Sequence, residues 1–246
     1  MNAMFGTLTT EGLEESTDRV GGYGPRDSGI YTGTIKAMYA GESPGGAKSV
    51  TVLVDLEDGR EYRETIYITD RTGKNWFANK QDPSKKVPLP GFTTIDDICL
   101  VTTGEPLASQ SVEDKILNIY DVEQKKEMPK SVPVLTGTIG KQVTLGIVRQ
   151  MENKSEKDGS GNYVPVADTR EINFIDKVFH TQTKMTVVEA RNGAEAAVFH
   201  DTWAERNKGQ TRDKRTIKDG EAGKSGRPGA TPSASSAAPR KSLFGA

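Results

Sequence analysis

The chain is short of the residues that carry most enzyme chemistry. It has two histidines, His180 and His200, and one cysteine, Cys99, in 246 residues, and their spacing fits no zinc-type ligand set. A single cysteine excludes an internal disulfide framework and agrees with a reducing compartment. Within Ile98-Cys99-Leu100-Val101 it reads as a small buried hydrophobe. No glycine-rich segment ends in Gly-Lys-Ser/Thr after a strand, so a P-loop phosphate cradle is missing. Gly159-Ser160-Gly161 is a turn without the nucleophile-elbow pattern, and helix capping accounts for the acidic pair Asp96-Asp97 with less effort than a metal does. No nucleophile, base and orienting group stand out together, and we expect no catalysis, no cofactor and no metal. Long hydrophobic runs are absent too: none approaches the roughly 20 residues a membrane helix needs. The first 19 residues hold Glu11, Glu14, Glu15 and Asp18 and no apolar stretch of the signal-peptide kind. With charged residues at 27% and a mean hydropathy of −0.59, a soluble protein is expected.

What is present is mostly β pattern. Residues 1–28 read as a poorly ordered leader ending in Gly21-Gly22-Tyr23-Gly24-Pro25. From Gly29 to Tyr39 the chain alternates and is rich in β-branched and aromatic residues, which predicts a strand. Ser49–Leu56 predicts a second, Asp58-Gly59 a hairpin turn, and Glu61–Thr69 a third. In that third strand Tyr62, Glu64, Ile66 and Ile68 share one face, and Arg63, Thr65, Tyr67 and Thr69 the other. A polar excursion, Asp70 to Pro90, holds Trp76 and Phe77. Phe92–Thr103 suits a short helix capped near Thr94 with two early acids. Further strands are expected at Lys115–Asp121, Val132–Leu135, Lys141–Met151, Tyr163–Val166 and Glu171–Phe179, then helices at Met185–Arg191 and Ala194–Arg206, the second burying Ala197, Val198 and Trp203. The order of three strands, helix and two strands is that of an OB-fold barrel. The expected fold is therefore mainly β, a barrel of OB type over residues 29–208 with a few short helices. Residues 209–246, rich in Gly, Ala, Ser, Pro and basic residues, are expected to be a disordered tail.

Single-strand binders set cations along the phosphates and aromatics under the bases. The candidate residues here are the aromatics Tyr31, Tyr67, Trp76 and Phe77 and the cations Lys36, Lys48, Arg60, Arg63, Arg71, Lys74, Lys80, Lys85 and Lys86. They are densest from Tyr67 to Lys86, beside the third strand and so beside the face OB-folds use. The competing reading packs Tyr62 into the barrel, closes one barrel end with Trp76-Phe77 and leaves the lysines to solvate a loop. Charge is uneven along the chain: residues 206–246 sum to +7 and the remainder to −8, so the tail is suited to meet an anion. Near its end, Leu243 and Phe244 form a candidate docking motif for a partner.

Several strings are similar to one known group: Ser28-Gly-Ile-Tyr-Thr-Gly-Thr-Ile-Lys36, Glu61-Tyr-Arg-Glu-Thr65, Lys86-Val-Pro-Leu-Pro-Gly-Phe92, Ile175-Asp-Lys-Val-Phe-His180 and Lys241-Ser-Leu-Phe-Gly245. They resemble single-stranded DNA-binding proteins of tailed bacteriophages, over most of residues 1–220 and again at 241–245. The resemblance implies a replication and recombination protein with an OB-type core that coats single-stranded DNA in the cytoplasm of the infected bacterial host. It also implies phage replication proteins as partners of the tail, and leaves self-association open. In that group the tail is usually acidic with a terminal aromatic; here it is basic and runs two residues past Phe244. The alternative function is a β-rich interaction protein or virion-associated structural protein with a basic tail.

Overall fold

The computed structural model describes residues 24–121 and 124–217. Most of the expected leader, residues 218–246 of the tail, and the docking pair Leu243 and Phe244 lie outside the described residues. The fold is mainly β. Strand β1 (Gly29–Glu42) pairs antiparallel with β2 (Lys48–Leu56), and β2 with β3 (Glu61–Tyr67), in the expected meander. A small ribbon follows, β4 (Trp76–Ala78) against β5 (Lys86–Pro88), then helix α1 (Pro90–Thr103). Strands β6 (Val112–Asp121) and β7 (Lys126–Leu135) form a hairpin arm, and β8 (Gln142–Lys157) and β9 (Tyr163–Phe179) form a long second hairpin. Helices α2 (Val187–Arg191) and α3 (Phe199–Asn207) precede a short β10 (Thr211–Asp213). No helix among the described residues is long and apolar enough to cross a membrane.

The sheet runs β10-β8-β1-β2-β3, with β9 on β8 and the β6–β7 arm on the far half of β1. It curves around one core. Ile35, Val50, Val52, Val54, Tyr62 and Ile66 from one wing meet Leu145, Ile147, Ile175 and Val178 from the other, with Ile95, Ile98 and Cys99 of α1 between them. Cys99 is fully buried, and burial pushes its thiol up to about 12. A bulge at Lys36 shifts the β1–β2 register between Ile35 and Ala37. An extra residue reverses the alternation of faces, so Ile35 and Met38 enter the main core while Ala37 and Tyr39 turn to the outside. There they pack with Leu53, Val134, Leu117, Ile119 and Val132, which fastens the arm to the outer face of β1 and β2.

Four expectations need correction. The main sheet is not closed into a barrel, and Lys115–Asp121 is not on its path: it lies in β6, the outer strand of the arm, and β8 takes the place beside β1. Tyr163–Val166 and Glu171–Phe179 are one continuous strand. Helix α1 begins at Pro90 without a side-chain cap, so Asp96 and Asp97 sit inside it. In the last helix Trp203 is buried, but Val198 is exposed, because the helix starts only at Phe199. The ordered body also extends past both expected limits. Gly209 and Gln210 bond to Ser28, β10 adds a parallel strand to β8, and Asn153 binds the backbone of Thr216 and Ile217.

Gly91, in the first turn of α1, sits against the end of β3: a Cβ there would lie 2.1 Å from the Tyr67 carbonyl oxygen. Gly91→Ala should therefore lower the urea midpoint, at a cost of about 2 kcal/mol for the forced shift of helix from strand.

Candidate nucleic-acid interface

The thirteen candidate residues fall into two groups. Tyr31, Lys36 and Arg60 lie near the β2–β3 turn and are committed to partners. The Tyr31 hydroxyl donates to the Asp27 carbonyl, and Arg26 stands over its ring at 5.5 Å. Burial raises the Tyr31 phenol above its ordinary range. Lys36 pairs with Glu61 at 2.7 Å, and Arg60 with Asp58 at 3.4 Å. The sequence pattern places these three in the same surface as the rest; the structure separates them, because Tyr31 lies at the start of β1, while Lys36, at the middle of that strand, and Arg60 are drawn to Glu61 and Asp58 by the β2–β3 turn.

The second group gathers where β3 ends. Arg63 and Tyr67 share its outer face, on either side of Thr65, whose hydroxyl is bonded to that of Thr51. Tyr67 is 53% exposed. Arg63 donates to the Tyr39 hydroxyl at 3.1 Å, a contact made available by the bulge at Lys36. Lys48, opening β2, is tied by its backbone to Ile68 and Thr69 just past β3. Arg71 lies along the β1–β2 loop at Gly45.

The ribbon carries the rest. Asp70 accepts from the backbone N–H groups of Thr72 and Lys74 and from the Thr72 hydroxyl, which folds the turn before β4 and holds the Asp70 carboxyl below the usual range. Asn79 and Asp82 build the turn between β4 and β5 in the same way. Trp76 pairs across the ribbon with Pro88, and Phe77 with Val87. Lys86 stands 4.4 Å and Lys74 5.7 Å from the Trp76 ring centroid. Phe77 is 45% exposed, and neither ring joins a core cluster. The ring that enters the core is Tyr62.

Counter-charge separates these cations further. Lys85 is paired with Asp82 at 3.4 Å. Among the described residues Lys48, Arg63, Arg71, Lys74, Lys80 and Lys86 form no ion pair, while most acids nearby are occupied in turns. The result is a polar, cationic surface with three accessible rings. Such a surface meets phosphates and base faces together, and the cations over Trp76 keep their charge exposed to solvent.

Tyr39, an aromatic of β1, becomes a site neighbour through the bulge; sequence reasoning missed Arg26, which is buried at the opposite end, by the β2–β3 turn. A proline-glycine stretch carries no signal that the next residue will be enclosed. The other groups weighed for chemistry have structural partners. His180 bonds Thr183, and His200 lies edge-on to Phe179 and pairs with Asp201. Asp96 accepts from the Leu107 N–H. No group of three or more His, Cys, Asp or Glu side chains suited to a metal occurs among the described residues.

Asp97 offers a separate check on the packing of α1. Burial, with the neighbouring Asp96 carboxylate, pushes its acid up to about 6. A raised carboxyl stabilises the fold fully below its unfolded value of 3.8, and that contribution is lost as pH rises through about 6. Asp97→Asn should flatten the fall in stability between about pH 4 and pH 8 and add about 1 kcal/mol at the upper end, after allowing for partial solvent screening. Urea midpoints at the two pH values would measure it.

No protein-family model matches this chain, and no curated protein matches it either.

Proposed function

We propose that this chain binds single-stranded DNA without regard to sequence. The observation that carries the reading is the Trp76 ring under the ammonium groups of Lys74 and Lys86, beside exposed Tyr67 and the unpaired Arg63. A strand lying there would stack bases on Trp76, Tyr67 and Phe77 and would neutralise phosphates with Lys48, Arg63, Arg71, Lys74, Lys80 and Lys86. Stacking tolerates any base, since each has a π face, and ion pairing reads only the backbone.

The topology supports an OB-type reading of the core. Strands β1, β2, β3, helix α1, then β8 on β1 and β9 on β8 follow the order of that fold, with the β6–β7 arm inserted before β8. With the resemblance to bacteriophage proteins, this supports a role in replication or recombination within the cytoplasm of the infected bacterial host. Replication proteins are the proposed partners of Leu243 and Phe244.

Tryptophan emission tests the proposal. Trp203 is buried with its indole N–H bonded to Asp176, so quenching by added oligo(dT) should come from Trp76 and should reverse at high salt. Unchanged emission together with no saturable binding would favour the interaction or virion-associated role instead.

A further inference from the structure

The curved sheet is left open along one seam. Among the described residues β3 pairs only with β2, and β9 only with β8. The two facing strands are joined by side chains. Glu64, on the inner face of β3, accepts from the Ile175 N–H of β9 at 2.8 Å and from the Tyr62 hydroxyl at 2.8 Å. Arg26 bridges the same seam nearer its end. Its backbone exchanges two hydrogen bonds with the Asn173 side chain on β9, while its guanidinium reaches Asp58 and the Arg60 carbonyl at the β2–β3 turn. Above these links lies a cleft of about 620 Å³ between Arg60–Arg63 and Glu171–Asn173.

Two properties of the cleft point to its occupant. First, Gly24, Pro25 and Arg26 line it, so residues 1–23 join the body at the cleft itself. Second, the charges match. Glu61 and Glu171 of the lining are engaged by Lys36 and Arg149, and Asp58 is shared by Arg26 and Arg60. Arg63 has no carboxylate, and Arg60 only its share of one. Residues 1–23 carry Glu11, Glu14, Glu15 and Asp18 against Arg19, a net −3. Asp18 is six residues from Gly24, a reach of roughly 20 Å when extended, comparable with the length of a short strand.

We propose that the acidic segment Glu11–Asp18 of this same chain docks in the seam cleft, laying its carboxylates against Arg60 and Arg63 along the free edges of β3 and β9. Arg63 also faces the outer surface of β3, so the docked segment and a DNA phosphate compete for it. This consequence rests on the DNA-binding reading; the docking itself does not.

The test compares the full chain with its fourfold variant Glu11→Gln, Glu14→Gln, Glu15→Gln, Asp18→Asn by hydrogen exchange and by oligo(dT) titration. Docking predicts faster amide exchange at residues 60–66 and 171–175 in the variant, with exchange in α1 unchanged. It also predicts oligo(dT) affinity higher by about three- to ten-fold at low salt, a gain that fades as salt screens the competing charges. Identical exchange in both segments overturns the docking. Faster exchange with no oligo(dT) binding by either protein upholds the docking and removes the DNA-binding reading.

Discussion

Trp76→Ala is expected to weaken oligo(dT) binding by about thirty-fold, the equivalent of about 2 kcal/mol for one stacked base. The loss is large for one side chain because Trp76 does two things at once. Its face offers the broadest stacking surface in the ribbon, and the Lys74 and Lys86 ammonium groups stand 5.7 and 4.4 Å from its centroid. Without the ring, both lysines lose the surface that orders them. The fold should be unaffected, because Trp76 belongs to none of the core clusters. A denaturation midpoint equal to that of the parent chain, beside a weakened titration, is the expected pair of results. Phe77→Ala should cost less, since its ring has no cation over it.

The second large effect concerns stability. Glu64→Ala is expected to destabilise the fold by about 3 kcal/mol, because it strands two buried partners, the Ile175 N–H and the Tyr62 hydroxyl, and leaves a gap at the seam. Glu64→Gln keeps an acceptor for Ile175 and should cost far less. The pH dependence separates the two further. Burial raises the Glu64 carboxyl above its ordinary value, against the pull of the Ile175 N–H and the Tyr62 hydroxyl. Its contribution is therefore complete below the unfolded value of 4.5 and declines as pH rises through the higher folded value. The glutamine variant should lose that part of the decline. Chemical denaturation of the three proteins across the acid-to-neutral range would show both features.

The parts of this fold that were legible in the sequence are those built from neighbours in the chain. Alternation over Gly29–Tyr39 and Ser49–Leu56, the Asp58-Gly59 turn and the inward set Tyr62, Glu64 and Ile66 fix a meander, because each strand pairs with the next. Lys115–Asp121 has the same local pattern, yet its partner is β7 and its apolar side packs on Tyr39 and Leu53. No periodicity tells a strand of the main sheet from an arm, since both bury one face. The cap expected at Thr94 failed because Pro90 starts the helix a turn earlier, where a missing N–H costs nothing. β10 was invisible because three residues, Thr211–Asp213, carry too little pattern to outweigh their basic, glycine-rich surroundings.

The site shows the same division. The density of rings and cations from Tyr67 to Lys86 was readable, and the ribbon brings Lys74, Trp76 and Lys86 together because Asp70 and Asn79 form tight turns at its two ends. The separation of Lys36 and Arg60 from that group was not readable, because their partners Glu61 and Asp58 are charges in the same stretch with no mark of pairing. Nor was the enclosure of Arg26, which depends on Asn173, 147 residues away.

The most direct measurement is a gel-shift titration of single- and double-stranded DNA of equal length at two salt concentrations. If four of the six unpaired cations each meet a phosphate, affinity for the single strand should fall about fifty-fold between 50 and 200 mM salt. The single strand should also be preferred, since only unpaired bases can stack on Trp76 and Tyr67. Equal affinity for both forms, or binding indifferent to salt, would contradict the account.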